Sequence, residues 1–274
     1  MLLVAALIFS ALDWNDNHEL RRIDRTGAAI SVAKAKVPSA LVVPDLEQEF
    51  LSWYQSRADR AGARNAGPEF TSTDYPVYIV AAQGGGIYAA TQALLFLVKM
   101  QASCERFAQH LFAISGVSGG SVGAAMFSAL AGEYKNDYVD CGPLETSPQP
   151  SEAMRASRIT AIRLSGEDYL SPLLAAALFP DLVQRFLPFT IPAWSRARAL
   201  GKALETGWEH IEGRQSSKSG GKNPLALGIA GAWDPKGTRP ALLFNTTETG
   251  SGRRRLYYAA SAGLAPFTRL GVSN

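Results

Sequence analysis

An α/β fold built on a largely parallel sheet is predicted by two glycine-rich turns and by what flanks them. Gly84-Gly85-Gly86 follows the apolar run 77–82, and Gly116-Val117-Ser118-Gly119-Gly120 follows the apolar run 111–115. Each run reads as a buried strand, and each turn opens an alanine-rich stretch that reads as a helix. Strand, crossover helix and parallel strand form a right-handed unit that brings both turns to one sheet edge.

Taken in order, residues 1–12 are apolar except for Ser10 and form an anchor-like segment, shorter than the roughly 20 residues that a spanning helix needs. No positive charge precedes this run and no clear cleavage site follows it, unlike a signal peptide. A truncated transmembrane helix, an interfacial anchor and a start-shifted leader all fit, the first being preferred because the far end also looks cut. Arg21, Arg22 and Arg25 follow closely, which by the positive-inside rule places the remainder on the cytoplasmic side. Residues 13–74 read as a linker with Pro38 and Pro44, then a helix over 45–61 with Asp45 as N-cap, then a loop.

Residues 75–274 read as one catalytic domain. A strand over 77–82, a helix near 87–100, a strand over 111–115 and a helix from Gly120 to about Leu130 open it. Residues 135–152 read as a surface excursion rich in proline and glycine. The segment 171–194 is apolar and aromatic, and Pro172, Pro180, Pro188 and Pro192 forbid one continuous helix. It reads as a cap subdomain over the core or as an interfacial lid with Trp194 at headgroup depth, the cap being preferred. Residues 216–222 form a loop without P-loop spacing, and Arg253-Arg254-Arg255 reads as a solvated turn, preferred to contact with an anionic lipid surface.

The second glycine turn carries the chemistry. In G-x-S-x-G the serine occupies a strained corner between strand and helix, and small neighbours leave its hydroxyl clear. Gly116 and Gly120 hold the glycine positions around Val117, Ser118 and Gly119. The following helix points its positive dipole end at Ser118. A plain glycine-rich helix start with a capping serine is the bland alternative. The preceding strand and the upstream triple glycine favour a nucleophile. Gly84, Gly85 and Gly86, with Gly119, would supply backbone N–H groups for an oxyanion hole. Gly84 to Ala89 also fits a dinucleotide fingerprint, but the next strand ends without the carboxylate that a ribose requires, so the nucleotide reading is weak.

The two turns together resemble those of the patatin-like phospholipases, with weaker similarity in residues 197–208 and in Leu242-Leu243-Phe244-Asn245-Thr246-Thr247-Glu248. The resemblance spans about 75–255. It implies a three-layer α/β fold with a helical cap, and a Ser–Asp dyad that cleaves acyl esters of lipids. It also implies a lipid substrate and membrane surface as partners, and no cofactor.

Two features depart from that pattern. Tyr88 stands where the family usually has a basic residue, so the resemblance assigns no basic anion contact there. The dyad aspartate belongs to an Asp-Gly pair after the Asn-Thr-Thr segment, yet no Asp-Gly pair occurs and no aspartate follows Asp234. The dyad aspartate is therefore absent from this chain, which looks truncated at both ends. Asp168, Asp181 and Asp234 are candidate bases on composition alone. The 274-residue chain is expected to show little esterase activity, and extension to restore it.

A chain of 274 residues that is 47% hydrophobic and 19% charged describes an apolar globular protein tending towards membrane association. A net charge of +3 gives no case for nucleic acid. His18, His110 and His210 are too scattered for a metal site. Cys104 and Cys141 form no C-x-x-C pair and read as free thiols. Two other functions remain open: an α/β-hydrolase esterase with a Ser–Asp–His triad, for which only His210 follows Ser118, and a non-catalytic lipid-binding module at the membrane.

Overall fold

A computed structural model describes residues 2–12, 14–17, 46–62, 75–104, 106–132, 152–212, 223–227, 233, 235–247, 252, 254–260 and 263–264. The chain divides into two compact units, one of residues 1–33 and 166–226, the other of 34–165 and 227–274. The division runs otherwise than the predicted boundaries: the apolar start shares a unit with 166–226, and the helix after the predicted linker belongs to the sheet-bearing unit.

The sheet-bearing unit is α/β. Strands β1 (Tyr78–Ala82), β2 (Leu111–Val117), β3 (Ala241–Thr247), β4 (Arg254–Ala260) and β5 (Gly263–Leu264) lie side by side in that order. β1, β2 and β3 are parallel, while β4 and β5 return antiparallel. Leu111, Phe112, Ala113 and Ile114 are successively buried, so both faces of β2 are covered, as its unbroken apolar run requires. Helix α3 (Gly86–Ser103) is the crossover from β1, reached through the triple glycine. A short helical turn, α4 (Phe107–His110), leads into β2, and α5 (Gly119–Ala131) leaves it at the elbow. These are the predicted strands, crossover and elbow helix.

Helix α2 (Leu46–Gly62) is part of this core. Its Trp53 ring lies 5.2 Å from that of Phe112, and Phe50 meets Phe112 edge-on at 5.0 Å. Arg57, buried beneath them, donates to the carbonyls of Gln109, Pro235 and Gly237 and so ties α2 to the loop before β3. Asp45, the expected cap, lies outside the described residues, as do residues 135–151 and 216–222. Helix α6 (Glu152–Ser165) packs on α3 and α5.

Two expectations are corrected here. Cys104 is disulfide-bonded rather than a free thiol, because pairing follows distance in the fold and needs no C-x-x-C spacing; Cys141 lies outside the described residues. Arg254 and Arg255 are the first residues of β4, not a turn. Their backbones pair with Thr247 and Thr246, and ladder hydrogen bonds there outweigh the polar side chains.

The other unit is helical among its described residues. It holds α1 (Leu2–Ala11), α7 (Leu170–Leu178), α8 (Pro180–Gln184), a 3₁₀ turn (Pro192–Trp194) and α9 (Arg196–Glu212). The prolines divide 171–194 as expected: Pro180 opens α8 and Pro192 opens the 3₁₀ turn, where a missing N–H costs nothing. Asp181 is buried and accepts from Arg196 at 2.7 Å. Gln184, wholly buried, bonds Phe189 and Ile191 and folds the segment between α8 and the 3₁₀ turn back upon itself.

Candidate active site

Ser118 follows the last residue of β2 and precedes the first of α5. Its backbone sits at φ 51° and ψ −124°, and it is the one non-glycine residue with positive φ among the described residues. Such a conformation costs about 1–3 kcal/mol and persists only where its surroundings enforce it. The side chain makes no capping bond to α5, although its carbonyl accepts from Ser121 N at 2.9 Å. The residue is exposed, with Val117 exposed before it and Gly119 buried after it.

The glycines enforce the corner by close backbone packing. A methyl group at Gly116 would lie 2.7 Å from Ser121 Cα; at Gly119 it would strike the Gly86 carbonyl oxygen, and at Gly120 those of Ala82 and Gln83. Farther along α5, one at Gly123 would strike the Ala90 carbonyl oxygen. A Cβ at Gly84 would stand 3.3 Å from Ser118 Cβ, so the triple glycine runs directly beside the serine. Gly85 and Gly86 take φ values of 146° and 62°, conformations that side-chain-bearing residues rarely adopt. Parallel pairing of Ala82 with Gly116 puts both turns at the same sheet edge. Two helix N-termini, of α3 and α5, therefore meet at Ser118. Their first-turn N–H groups have no acceptor within their own helices.

Asn245 completes the corner from β3. It pairs with Val117, and its side-chain nitrogen donates to Ser115 Oγ at 2.9 Å and to the Gly116 carbonyl at 3.3 Å. The sequence marked Asn245 by resemblance but assigned it no role. Only the register between strands shows that it clamps Ser115 and Gly116, ahead of Ser118.

The histidines and acids fall elsewhere. His110 precedes β2, so a seven-residue strand, about 23 Å at roughly 3.3 Å per residue, separates it from Ser118. Burial, with Arg106 and Arg57 nearby, lowers its pKa from 6.5 to about 4, so it is neutral at pH 7. His210 belongs to the helical unit, where its Nδ1 lies 3.3 Å from Glu167. Asp168 is held below the usual carboxylate range by the Ser171 side chain and then by the Ser171 N–H, which donates to it at 2.9 Å; Asp181 is committed to Arg196. Asp234 and His18 lie outside the described residues. Tyr88 is exposed on the first turn of α3. Among the described residues no group of histidines, cysteines and acids could hold a metal. No protein-family model, curated protein or solved structure matches this chain.

Proposed function

We propose that this chain carries the nucleophile and oxyanion hole of a serine acyl hydrolase of the patatin-like kind, which cleaves acyl esters of lipids at a membrane surface once the dyad aspartate is supplied. The observation that carries the reading is the strained Ser118 beside the triple glycine, at the meeting of two helix N-termini. Ser118 Oγ attacks the ester carbonyl carbon, the alkoxy group leaves with a proton, and water then cleaves the acyl-serine. The tetrahedral oxyanion accepts hydrogen bonds from backbone N–H groups among Gly84, Gly85, Gly86 and Gly119. Val117, Ile87 and Tyr88, all exposed around the corner, give an acyl chain apolar surface to lie against. The base that takes the serine proton is an aspartate in this reading, and no hydrogen bond joins Ser118 to a described carboxylate.

Hydrolysis of medium-chain and long-chain acyl esters by the full-length protein, compared with Ser118→Ala and His210→Ala, tests this. The reading requires the first variant to lose several orders of magnitude in rate and the second to keep its rate. Collapse in His210→Ala would favour the α/β-hydrolase triad, for which only His210 follows Ser118 in the sequence.

No described helix is long and apolar enough to cross a membrane, so association is proposed to be through a surface. Arg21, Arg22 and Arg25 favour the cytoplasmic side. The Cys104 disulfide points the other way, because disulfides persist mainly in oxidising compartments. Thiol titration of protein isolated under alkylating conditions decides: reactive Cys104 supports the cytoplasmic placement, and blocked Cys104 removes it.

A further inference from the structure

We infer that the helical unit meets an anionic lipid bilayer through one composite surface, formed by α1 and the exposed side of α7 and α8. This deepens the membrane part of the proposed function and does not depend on its chemistry. Helix α1 has no buried residue. Leu2, Leu3, Val4, Leu7 and Ile8 are each half or more exposed; at about 100° per residue Leu3, Val4, Leu7 and Ile8 share one broad face, while Ala5, Ala6 and Phe9 on the other side are half-buried. A helix that is apolar all round is stable only when apolar surroundings enclose it. The chain itself partly covers one side of α1, and a bilayer would cover the exposed apolar face.

The second part of the surface has the same character. Leu170, Leu174 and Leu178 recur every four residues along α7, and they stand exposed while α7 packs on α9. Phe179, 70% exposed, and Leu182 extend this stripe onto α8. Asn15 joins the two parts: buried just beyond α1, it donates to Ser10 Oγ at 3.1 Å and to the Arg185 carbonyl at 2.8 Å. The end of α1 is thus fixed to the end of α8.

Charge identifies the kind of bilayer. Over residues 180–205 the chain carries Arg185, Arg196, Arg198 and Lys202 against Asp181, buried on Arg196, and Glu205, 3.8 Å from Lys202, a net excess of two positive charges. Basic groups beside an apolar face suit anionic headgroups. Trp14, about half exposed and stacked on Phe9, sits where a membrane-interface tryptophan would report the contact.

Flotation of the full chain with vesicles of phosphatidylcholine, alone or mixed with phosphatidylserine, tests this, with the emission lost in Trp14→Phe, one of five tryptophans, as a second readout. Binding is expected to the mixed vesicles, with a blue shift, and to weaken with added salt. Leu3→Lys with Leu7→Lys, and separately Phe179→Lys with Leu182→Lys, should each lower partitioning about a hundredfold or more, because two linked contacts reinforce each other. All four side chains are exposed, so circular dichroism should show both variants folded. Wild-type binding by the Phe179/Leu182 variant would overturn the composite surface. So would absence of binding to mixed vesicles, or self-association that Leu3→Lys with Leu7→Lys abolishes, which would make the face a protein interface. Vesicle binding by an extended protein that carries the dyad aspartate yet shows no esterase activity sinks the proposed chemistry alone, and esterase activity without vesicle binding sinks this surface alone.

Discussion

Replacing Gly119 by alanine tests how the elbow is held. The added methyl would strike the Gly86 carbonyl oxygen, which is backbone and cannot turn aside as a flexible side chain could. The first turns of α3 and α5 must therefore separate. Overpacking of this sort costs about 1–3 kcal/mol, and a backbone obstacle puts the value near the top of that range. At about 2–4 °C per kcal/mol for a unit of this size, Gly119→Ala should melt about 6–12 °C lower. The same separation moves Ser118 from the triple glycine, and a displacement near 1 Å can cost about a hundredfold in reaction rate. Gly86→Ala is the control within the same unit: nothing lies within 4 Å of the added methyl, and only φ of 62° opposes it. That conformation alone costs about 1–2 kcal/mol. Thermal melts followed by circular dichroism and calorimetry, with serine-labelling rates beside them, give the comparison. A Gly119→Ala protein that melts with the wild type, or above Gly86→Ala, would refute the close packing of the two helix starts.

Other expectations follow from the same geometry. Ser118→Gly should abolish esterase activity yet raise the melting temperature by about 2–4 °C, because relief of about 1–3 kcal/mol of strain exceeds the entropy that glycine adds to the unfolded chain; a lower melting temperature would contradict the strain. Since the His110 pKa is depressed, the unfolded chain binds its proton first as pH falls, so stability is lost between about pH 6.5 and about 4. The loss is on the order of 3 kcal/mol, and urea titrations of His110→Gln should show a flatter profile across that window than the wild type. Asn245→Ala leaves Ser115 and the Gly116 carbonyl without their cross-strand donor; a loss of about 1–2 kcal/mol in urea unfolding and slower labelling of Ser118 are expected.

Local pattern carried the fold where one strand and one turn suffice to define an element. The runs 77–82 and 111–115, bounded by glycines, read directly as β1 and β2, and the small residues after each turn read as α3 and α5. The glycines of the elbow were legible as turn residues, but their second role, letting α5 touch the α3 turn, depends on packing that no spacing reveals. Asn245 could be placed on a strand, whereas its donation to Ser115 needs the β2–β3 register. Arginines at the start of β4 resemble a solvated turn because the pairing that makes them a strand comes from Thr246 and Thr247. The Cys104 disulfide was hidden because nothing in the flanking sequence fixes distance in space. The leucine stripe of α7 shows the spacing of a core face, and only its exposure marks it as a surface.

The central claim is that Ser118 is an activated nucleophile. Treatment of the full-length protein with a fluorophosphonate, followed by peptide mass mapping, tests it most directly. The account predicts one stoichiometric adduct on Ser118 and none in Ser118→Ala. An unmodified Ser118 peptide, or an adduct on another serine that persists in Ser118→Ala, would contradict it.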